Sequence, residues 1–576
     1  MNASEARYGG GVTLLLFLFI FLPLLAVLLN VVLPGLFFGQ VQATSIGLLG
    51  EIFHRPLWRQ SLFNSVMLAL GTATLGTIIG GLLATIRARW DFAAARLLDL
   101  GAWVLLIAPS FMIAQGWVLF ASADGLVNQW LGWSWVTSFI FQPMGLVFVM
   151  ALSKFPLAYL AILAASEWSM KQFGYAARLN GATPFTVWRT VELPLALPAY
   201  AAGWTLVFMD TVGDFGLPAA LATVYKFPTL TYSIYSAIYQ SPVRFDMAGV
   251  LAFYLVLILA LAMALLMAVQ RRARYDFLNA RAVKLQKEKP RYAWACNLSI
   301  IAFLLVSLGI PVGTSAAVSV LKQTGGGFVA ENFTLDHYRE LFAGQTGDHR
   351  YLHYLEGMSH SLAIASATAV FSMLIGFVVA YVLTFTESRL KPMLQLFSII
   401  SLAVPGVVLG IGYIFIWNQK WLEPLGLHLY GQPSLLVLAG IAGAIPYAVR
   451  VQLGAFGNLS GTMLKAAAIQ GASVFARMRD IVMPLVRQSL LIATLASFGT
   501  SVFDLALASM LRPANYSLLP LVIDKAFEFS RYGYATAATV VSCVSVVVII
   551  TAVHGLGRLA WKWLDRNQAG RGWRDR

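Results

Sequence analysis

The sequence contains few charged residues and almost no cysteine. Charged side chains make up 11% of the 576 residues, whereas ordinary soluble domains carry about 25%. A soluble enzyme of this size could not cover its surface with so few charges, so this composition argues against a soluble enzyme and against a disordered scaffold. Cys296 and Cys543 both lie in apolar runs, which excludes a disulfide framework and a cysteine-ligated zinc module.

The sequence also lacks the phosphate-binding pattern GxxxxGK[ST]. Without this pattern the chain cannot bind ATP in the usual way, so we expect no nucleotide cofactor on this chain. The net charge of +15 would suit a nucleic-acid-binding protein, but the apolar fraction of 59% does not. The composition therefore leaves a membrane protein as the class that fits.

Long apolar runs are abundant. A helix needs about 20 apolar residues to cross a bilayer, and the sequence contains twelve candidate runs. They cover residues 11–34, 62–86, 100–121, 143–166, 195–213, 248–270, 294–320, 361–386, 393–417, 433–453, 486–505 and 534–554. The sequence therefore predicts an all-α polytopic membrane protein with about twelve transmembrane helices.

The distribution of basic residues predicts the orientation of these helices. If the N-terminus is cytoplasmic and the helices alternate, 27 of the 40 Lys and Arg residues lie on the cytoplasmic side and 11 on the other. Such a bias is the usual topology signal of a multi-pass membrane protein. We therefore expect both termini in the cytoplasm, and we attribute the positive charge to membrane lipid and protein partners and not to nucleic acid.

The two halves of the chain resemble each other in sequence. A basic linker, 271–293, separates residues 1–270 from residues 294–576, and each half contains six of the predicted helices. The matching pairs are Ser65/Ser361, Thr72/Thr368 and Pro109/Pro405 at an offset of 296, and Pro156/Pro446, Phe208/Phe498 and Asp214/Asp504 at an offset of 290. Because each half has an even number of predicted helices, the sequence predicts two parallel repeats.

The best match between the halves follows the fourth predicted helix of each. The first copy, YAARLNGATPFTVWRTVELPLALP, begins at Tyr175, and the second, KAAAIQGASVFARMRDIVMPLVRQ, begins at Lys465. Both resemble the EAA loop of ABC-importer permeases, whose pattern is Glu-Ala-Ala, three residues, Gly, nine residues, Ile, one residue and Leu-Pro. Tyr175 and Lys465 stand in place of the initial Glu, and Met483 replaces the Leu. The matching residues that we assign to ATPase coupling are Ala176, Ala177, Gly181, Phe185, Pro194, Ala466, Ala467, Gly471, Phe475 and Pro484.

The residue types in these loops suit a segment that contacts another protein. The alanines offer a small, helix-favouring face, and the glycines permit a sharp turn or the close approach of a partner. We expect each Leu-Pro or Met-Pro step to reset the chain before the next helix, because proline is accepted at a helix start. The phenylalanines suit a groove on a partner. An ordinary amphipathic connector on the membrane surface is the alternative interpretation.

The resemblance to ABC-importer permeases implies a fold, a mechanism and a set of partners. The fold would be that of type I importers, with two six-helix repeats that alternate between inward-facing and outward-facing states. The partners would be two ATPase subunits, which bind and hydrolyse ATP-Mg, and a periplasmic or lipid-anchored substrate-binding protein. The chain itself would be a non-enzymatic transport subunit in the bacterial inner membrane.

Two further segments carry a resemblance that bears on the cargo. Residues 505–513, LALASMLRP, resemble a segment of fused ferric-iron permeases, and residues 331–342, ENFTLDHYRELF, are similar to an outer loop of the wider group. This group also includes permeases for polyamines, 2-aminoethylphosphonate and thiamine. Ferric iron is therefore the first expectation. An ion-gradient-driven carrier is the alternative from a different class, since such carriers can also have twelve helices in two halves.

Ionisable residues inside the predicted helices are candidates for the translocation path. Lys154 and Asp210 lie in the fourth and fifth predicted helices, where they can form either a structural ion pair or a gate. Asp214 and Asp504 are equivalent residues near the outer end of the fifth helix of each half. The resemblance implies that this helix lines the pathway. Lys154 has no counterpart, because Ala444 occupies the equivalent position.

Three histidines precede the eighth predicted helix. The spacings of His349, His353 and His360 would place all three side chains on one helical face. Such a face can bind a metal ion, but a solvated amphipathic segment has the same pattern. We therefore expect no metal site here.

Overall fold

The computed structural model describes residues 3–38, 47–168, 170–272, 287, 289–343, 353–457 and 459–571. In these ranges the chain is mainly helical and forms no β-strand. Leu321 and Phe333 make one isolated antiparallel bridge. The all-α class predicted from the sequence is confirmed.

Eleven helical segments of the described chain are long and apolar enough to span a membrane. We number them α1 (Gly9–Val32), α2 (Pro56–Arg89), α3 (Ser110–Leu131), α4 (Pro143–Ala165), α5 (Phe185–Gly213), α6 (Phe245–Val269), α7 (Ala293–Val318), α8 (Tyr354–Phe385), α9 (Pro433–Phe456), α10 (Val474–Val502) and α11 (Tyr532–Trp561). Segments of this number and length are typical of a multi-pass membrane protein.

The predicted run 393–417 has no counterpart among the eleven segments, because it forms two shorter helices. They are Lys391–Ala403 and Gly406–Trp417, and neither has the length of a membrane span. Pro405 lies at the break between them. Pro109 occupies the same position in the first half, between helices Ala95–Ile107 and Ser110–Ala121. Proline ends the preceding helix because its ring restricts the residue before it.

Shorter helices connect the long segments and position the sites described below. They are Gly47–His54, Ala95–Ile107, Ser134–Ile140, Met170–Leu179, Gly216–Leu221, Leu230–Tyr239, Asp336–Ala343, Lys391–Ala403, Gly406–Trp417, Gly461–Ile469, Leu505–Leu511 and Leu519–Glu528.

The chain folds into two compact units with the same internal packing. The first-half unit contains Val27–Thr334 and Ala403–Val407, and the second-half unit contains Met1–Ala26, Leu335–Leu402 and Val408–Arg576. In the first-half unit α2 packs against α4 and α5, and in the second-half unit α8 packs against α9 and α10. These three-helix cores consist of equivalent helices from the two sequence repeats.

Each unit takes its first long helix from the other half of the sequence. In the first-half unit Gly116 packs so tightly against α7 that a Cβ atom would collide with the backbone of Pro311. In the second-half unit Gly412 packs in the same way against Pro23 of α1. The bounds of the compact units therefore differ from those of the predicted repeats. The division into repeats 1–270 and 294–576 stays a prediction from the sequence.

Wide helical turns of the π type recur at equivalent places in the two halves. One pair interrupts α1 at Phe17–Phe21 and α7 at Leu305–Gly309. The other pair lies in α5 at Trp188–Glu192 and in α10 at Arg477–Val482. Such turns are rare and often mark functional positions, so their recurrence supports the predicted duplication.

Candidate coupling loops and a buried charge cluster

The first EAA-like loop turns through a helix-ending motif at Gly181. Helix Met170–Leu179 ends there, and Gly181 has a φ of +83°. The N–H of Gly181 donates to the carbonyl of Arg178 at 2.9 Å, and the N–H of Ala182 donates to the carbonyl of Ala177 at 3.1 Å. These two bonds form a Schellman motif, which requires a left-handed residue at the glycine position.

The second EAA-like loop has the same geometry around Gly471, whose φ is +84°. Its N–H donates to the carbonyl of Ala468 at 3.1 Å, and the N–H of Ala472 donates to the carbonyl of Ala467 at 3.0 Å. A Cβ atom on either glycine would meet no described atom within 4 Å. The glycines are therefore explained by the backbone turn, the first of the two roles that the sequence suggested.

A polar residue begins the next helical segment in each copy. The hydroxyl of Thr183 accepts a hydrogen bond from the N–H of Thr186 at 3.3 Å. In the second copy, the hydroxyl of Ser473 accepts one from the N–H of Ala476 at 3.1 Å. Both residues are helix N-caps. Their recurrence at the offset of 290 would have revealed them, but the sequence interpretation did not include them.

Two large apolar side chains are exposed on each loop. Phe185 and Phe475 are 65% and 57% exposed, as expected for residues that meet a partner. Leu179 and Ile469 are 90% and 87% exposed, and sequence reasoning missed both. They also occupy equivalent positions, two residues before the turn glycine. Exposed apolar pairs at a fixed place in both repeats indicate a protein-binding surface.

The loops are attached firmly to the helices beside them. In the first copy Glu192 forms an ion pair with Arg89 at the end of α2, and Val187 is 1% exposed. In the second copy Val474 and Met478 join a buried cluster with Phe377 of α8. Each loop is therefore in direct contact with a membrane-spanning helix of its own unit.

The helix continues through the proline step of each loop. The N–H of Leu193 bonds to the carbonyl of Trp188, and that of Met483 bonds to the carbonyl of Met478, both five residues back. Pro194 and Pro484 follow at once, within the continuous segments α5 and α10. Each proline lies in the first turn of the α-helix that follows the π turn, as expected for a residue without an N–H, and the helical backbone continues through this step.

A buried lysine lies between two carboxylates in the first-half unit. Lys154 on α4 places its Nζ atom 2.5 Å from Oδ2 of Asp210 and 2.8 Å from Oδ2 of Asp214. The Lys154 side chain is 13% exposed and that of Asp214 is 4% exposed, whereas that of Asp210 is 44% exposed. The cluster has a net charge of −1 when all three groups are ionised, and Asp210 presents that charge to the surface.

Asp214 also organises the chain that follows α5. Its Oδ1 atom accepts hydrogen bonds from the hydroxyl of Ser110 at 2.8 Å and from the N–H of Leu217 at 3.2 Å. The second of these bonds satisfies a backbone N–H in the first turn of helix Gly216–Leu221. Asp214 therefore combines a structural role with its ion pair to Lys154.

Asp504 occupies the equivalent position in the second-half unit. Its Oδ1 atom accepts a hydrogen bond from the N–H of Leu507 at 2.9 Å and so caps helix Leu505–Leu511. Three of the four residues predicted for the translocation path thus form one cluster, and Asp504 belongs to the other unit. Their contact with cargo stays a prediction.

The histidines do not form the predicted face. His353 precedes α8 in a non-helical conformation, whereas His360 lies within the helix. The ring of His360 stacks on Tyr516 with centroids 3.9 Å apart, and its Nδ1 atom lies 3.0 Å from the carbonyl oxygen of Ser517. His349 lies outside the described residues. The described part of the chain contains no group of three metal-binding side chains.

Comparison with known proteins identifies the family. Residues 372–560, which include the second EAA-like loop, match the family model of the binding-protein-dependent transport system inner membrane component. The molybdenum transport system permease protein ModB of Escherichia coli is 31% identical over 182 residues, which cover 31% of this chain and 78% of ModB. The chain belongs to this permease family.

Two further relatives are also transport permeases, and one of them matches nearly the whole chain. The ferric transport system permease protein FbpB of Actinobacillus pleuropneumoniae is 23% identical over 555 residues, covering 94% of this chain and 76% of FbpB. The spermidine/putrescine transport system permease protein PotC of Escherichia coli is 28% identical over 202 residues, covering 34% of this chain and 73% of PotC. The similarity to FbpB includes both repeats, as expected for a tandem fusion.

Proposed function

We propose that this permease imports ferric iron across the bacterial inner membrane, with energy from ATP hydrolysed on two separate ATPase subunits. A substrate-binding protein delivers the cargo on the outer side, and the two repeats alternate between outward-facing and inward-facing states. Both termini and both EAA-like loops lie in the cytoplasm. No ATP is bound by this chain.

The paired geometry of the EAA-like loops is the observation that carries this proposal. Both copies have a left-handed glycine, the same two capping hydrogen bonds and an exposed apolar pair. Two equivalent docking surfaces match two ATPase subunits. Because each loop continues into α5 or α10 without a break, closure of the ATPase dimer would move these helices as rigid rods.

The charge cluster supports a cationic cargo. Asp210 is partly exposed and belongs to a cluster with one more negative than positive group. In a membrane interior such a charge favours a cation over an anion. The names of FbpB and its relatives favour ferric iron over polyamines, 2-aminoethylphosphonate or thiamine.

The test is uptake into proteoliposomes that contain the permease, its ATPase and its binding protein. We expect internal ATP to drive accumulation of radiolabelled ferric iron, and we expect a protonophore to leave the initial rate unchanged. Excess spermidine, 2-aminoethylphosphonate or thiamine should not compete. Uptake that collapses with the protonophore and needs no ATPase would instead identify an ion-gradient-driven carrier.

A further inference from the structure

The second-half unit contains a carboxylate whose counterpart in the first-half unit has a cation. Asp214 is paired with Lys154, but Ala444 stands at the position of the second repeat that is equivalent to Lys154. Thr500 and Gly406 likewise replace Asp210 and Ser110, the other polar neighbours of the first cluster. These equivalent positions follow from the offsets of 290 and 296 that relate the two repeats. Asp504 still accepts the capping hydrogen bond from the N–H of Leu507, but Ala444 in place of Lys154 provides no ammonium group.

A cavity opens beside this carboxylate. Gly440 stands on α9 where the first half has the fully buried Met150, and Thr368 packs so closely here that a Cβ atom on Gly440 would lie 2.8 Å from its hydroxyl oxygen. The cavity has a volume of about 30 Å³ and is bordered by Asp504, Gly440 and Thr368. One water molecule needs roughly 10–15 Å³ by the same kind of measure, so the cavity has room for a small ion and one water molecule.

Oxygen atoms without a full set of partners surround this space. Thr368 is completely buried, and its hydroxyl has no hydrogen-bond partner among the described residues. The hydroxyl of Ser361 accepts from the N–H of Leu519 at 2.9 Å and keeps a further lone pair. Ser501 also borders the cavity. A carboxylate together with hydroxyl oxygens is a ligand set that hard cations prefer.

We propose that this cavity binds one monovalent metal cation, with Na⁺ as the best fit, in place of the lysine ammonium group of the first half. A single carboxylate is neutralised by a single positive charge, and a partly buried carboxylate without a cation is costly. A divalent ion would leave excess charge, since Asp504 is the only carboxylate that borders the cavity among the residues that the structure describes. The inference does not depend on the identity of the transported cargo.

The experiment compares the unfolding temperature of the full-length permease in lipid nanodiscs between NaCl and choline chloride at equal ionic strength. Because a ligand that binds only the folded state stabilises it, we expect NaCl to raise the unfolding temperature of the wild type by roughly 2–4 °C. Asp504→Asn and Ala444→Lys should remove this response, the second by supplying a tethered ammonium group. Asp210→Asn is the matched control and should keep the response.

Equilibrium binding of radioactive ²²Na⁺ provides a measurement that does not depend on unfolding. We expect about one ion bound per wild-type chain and none bound to Asp504→Asn. Binding that persists in Asp504→Asn would contradict the proposed site. The proposal is also wrong if the wild type binds no Na⁺. A stability that then changes with pH alone would show that the carboxyl group is protonated and that the cavity holds water.

Discussion

Lys154 is the residue whose removal most directly tests the charge cluster. Its ammonium group is shared by Asp210 and Asp214, and Asp214 is almost fully buried. Because removal of one partner leaves a buried charge without compensation, we expect Lys154→Met to lower the free energy of unfolding by about 3–5 kcal/mol. Thermal or denaturant unfolding of the purified permease measures this loss.

The double variant Lys154→Met/Asp214→Asn is the control for this prediction. It removes the uncompensated charge at the buried position, so most of the lost stability should return. Equal stability of the wild type and Lys154→Met would show that the ion pair contributes nothing to folding.

Asp524 is predicted to make stability depend on pH. It lies on helix Leu519–Glu528, where burial raises the pKa of its carboxyl group to about 7, with a smaller contribution from Glu528 and an opposing one from Lys525. An unfolded aspartate has a pKa of about 3.9. The folded chain therefore holds the proton more tightly, and the free energy of unfolding falls as the pH rises from about 4 to about 7.

Asp524→Asn removes this titration and should raise the unfolding temperature at pH 8. The advantage of the variant should shrink as the pH is lowered to 5, because the wild-type carboxyl group then regains its proton. Melting curves at several pH values check the prediction. A variant that is stabilised equally at pH 5 and pH 8 would refute the titration of Asp524 as the cause.

At the level of individual residues, part of the site could be predicted from the sequence. The glycines of the EAA-like loops were identified by their spacing, and their left-handed conformation explains why that spacing requires glycine. Leu179 and Ile469 were missed because an apolar residue in a helical pattern is usually buried. Their exposure depends on where the loop projects from its compact unit, and a local sequence pattern does not contain that information.

At the level of elements, the second part of each EAA-like loop and the transmembrane helix after it form one continuous helical segment, which begins at Phe185 or Val474. We expect the double variant Leu179→Ala/Phe185→Ala to weaken capture of the ATPase by the permease at least several-fold. Its unfolding temperature should stay the same, because exposed side chains change stability by roughly 0.5 kcal/mol or less. Pull-down of the purified ATPase measures the first effect, and melting curves measure the second.

Leu425→Ala is the matched control, because Leu425 is also an exposed leucine of a short connecting segment. It should not change ATPase capture. If the loop variants bind the ATPase as well as the wild type, the loops are membrane-surface connectors and the docking assignment is wrong.

The helical runs were predicted well, but their irregularities were not. Pro405 marks a break that the run 393–417 conceals, because the residues on both sides are apolar. The π turns before Pro194 and Pro484 leave no mark on the apolar pattern, because these helices are apolar on most sides and have no single face whose register would reveal an extra residue. Composition thus predicts that a segment crosses the membrane, but the backbone hydrogen bonds determine where its helix breaks or widens.

At the level of the whole molecule, the exchange of first helices connects the two sequence repeats. Gly116 and Gly412 allow the close packing of Pro311 and Pro23, respectively. We expect Gly116→Ala and Gly412→Ala each to lower the free energy of unfolding by about 1–3 kcal/mol, because the added methyl group overpacks a tight contact. Denaturant unfolding in detergent measures the effect.

Gly313→Ala is the control on α7, where a Cβ atom meets no described atom within 4 Å. It should be neutral or slightly stabilising, because alanine is the better helix former. Equal effects at Gly116 and Gly313 would contradict the packing described here. The sequence could not predict this exchange, because an apolar helix pattern does not specify which neighbour the helix contacts.

The central claim is that both EAA-like loops couple this permease to ATP hydrolysis, and one measurement tests it most directly. ATP-driven uptake should be measured in proteoliposomes for Gly181→Val, Gly471→Val and the matched variants Gly181→Asn and Gly471→Asn. Asparagine tolerates the left-handed conformation and valine does not. The account predicts that each valine variant loses most of its uptake and that each asparagine variant keeps it. Full ATP-driven uptake by the valine variants would contradict the account.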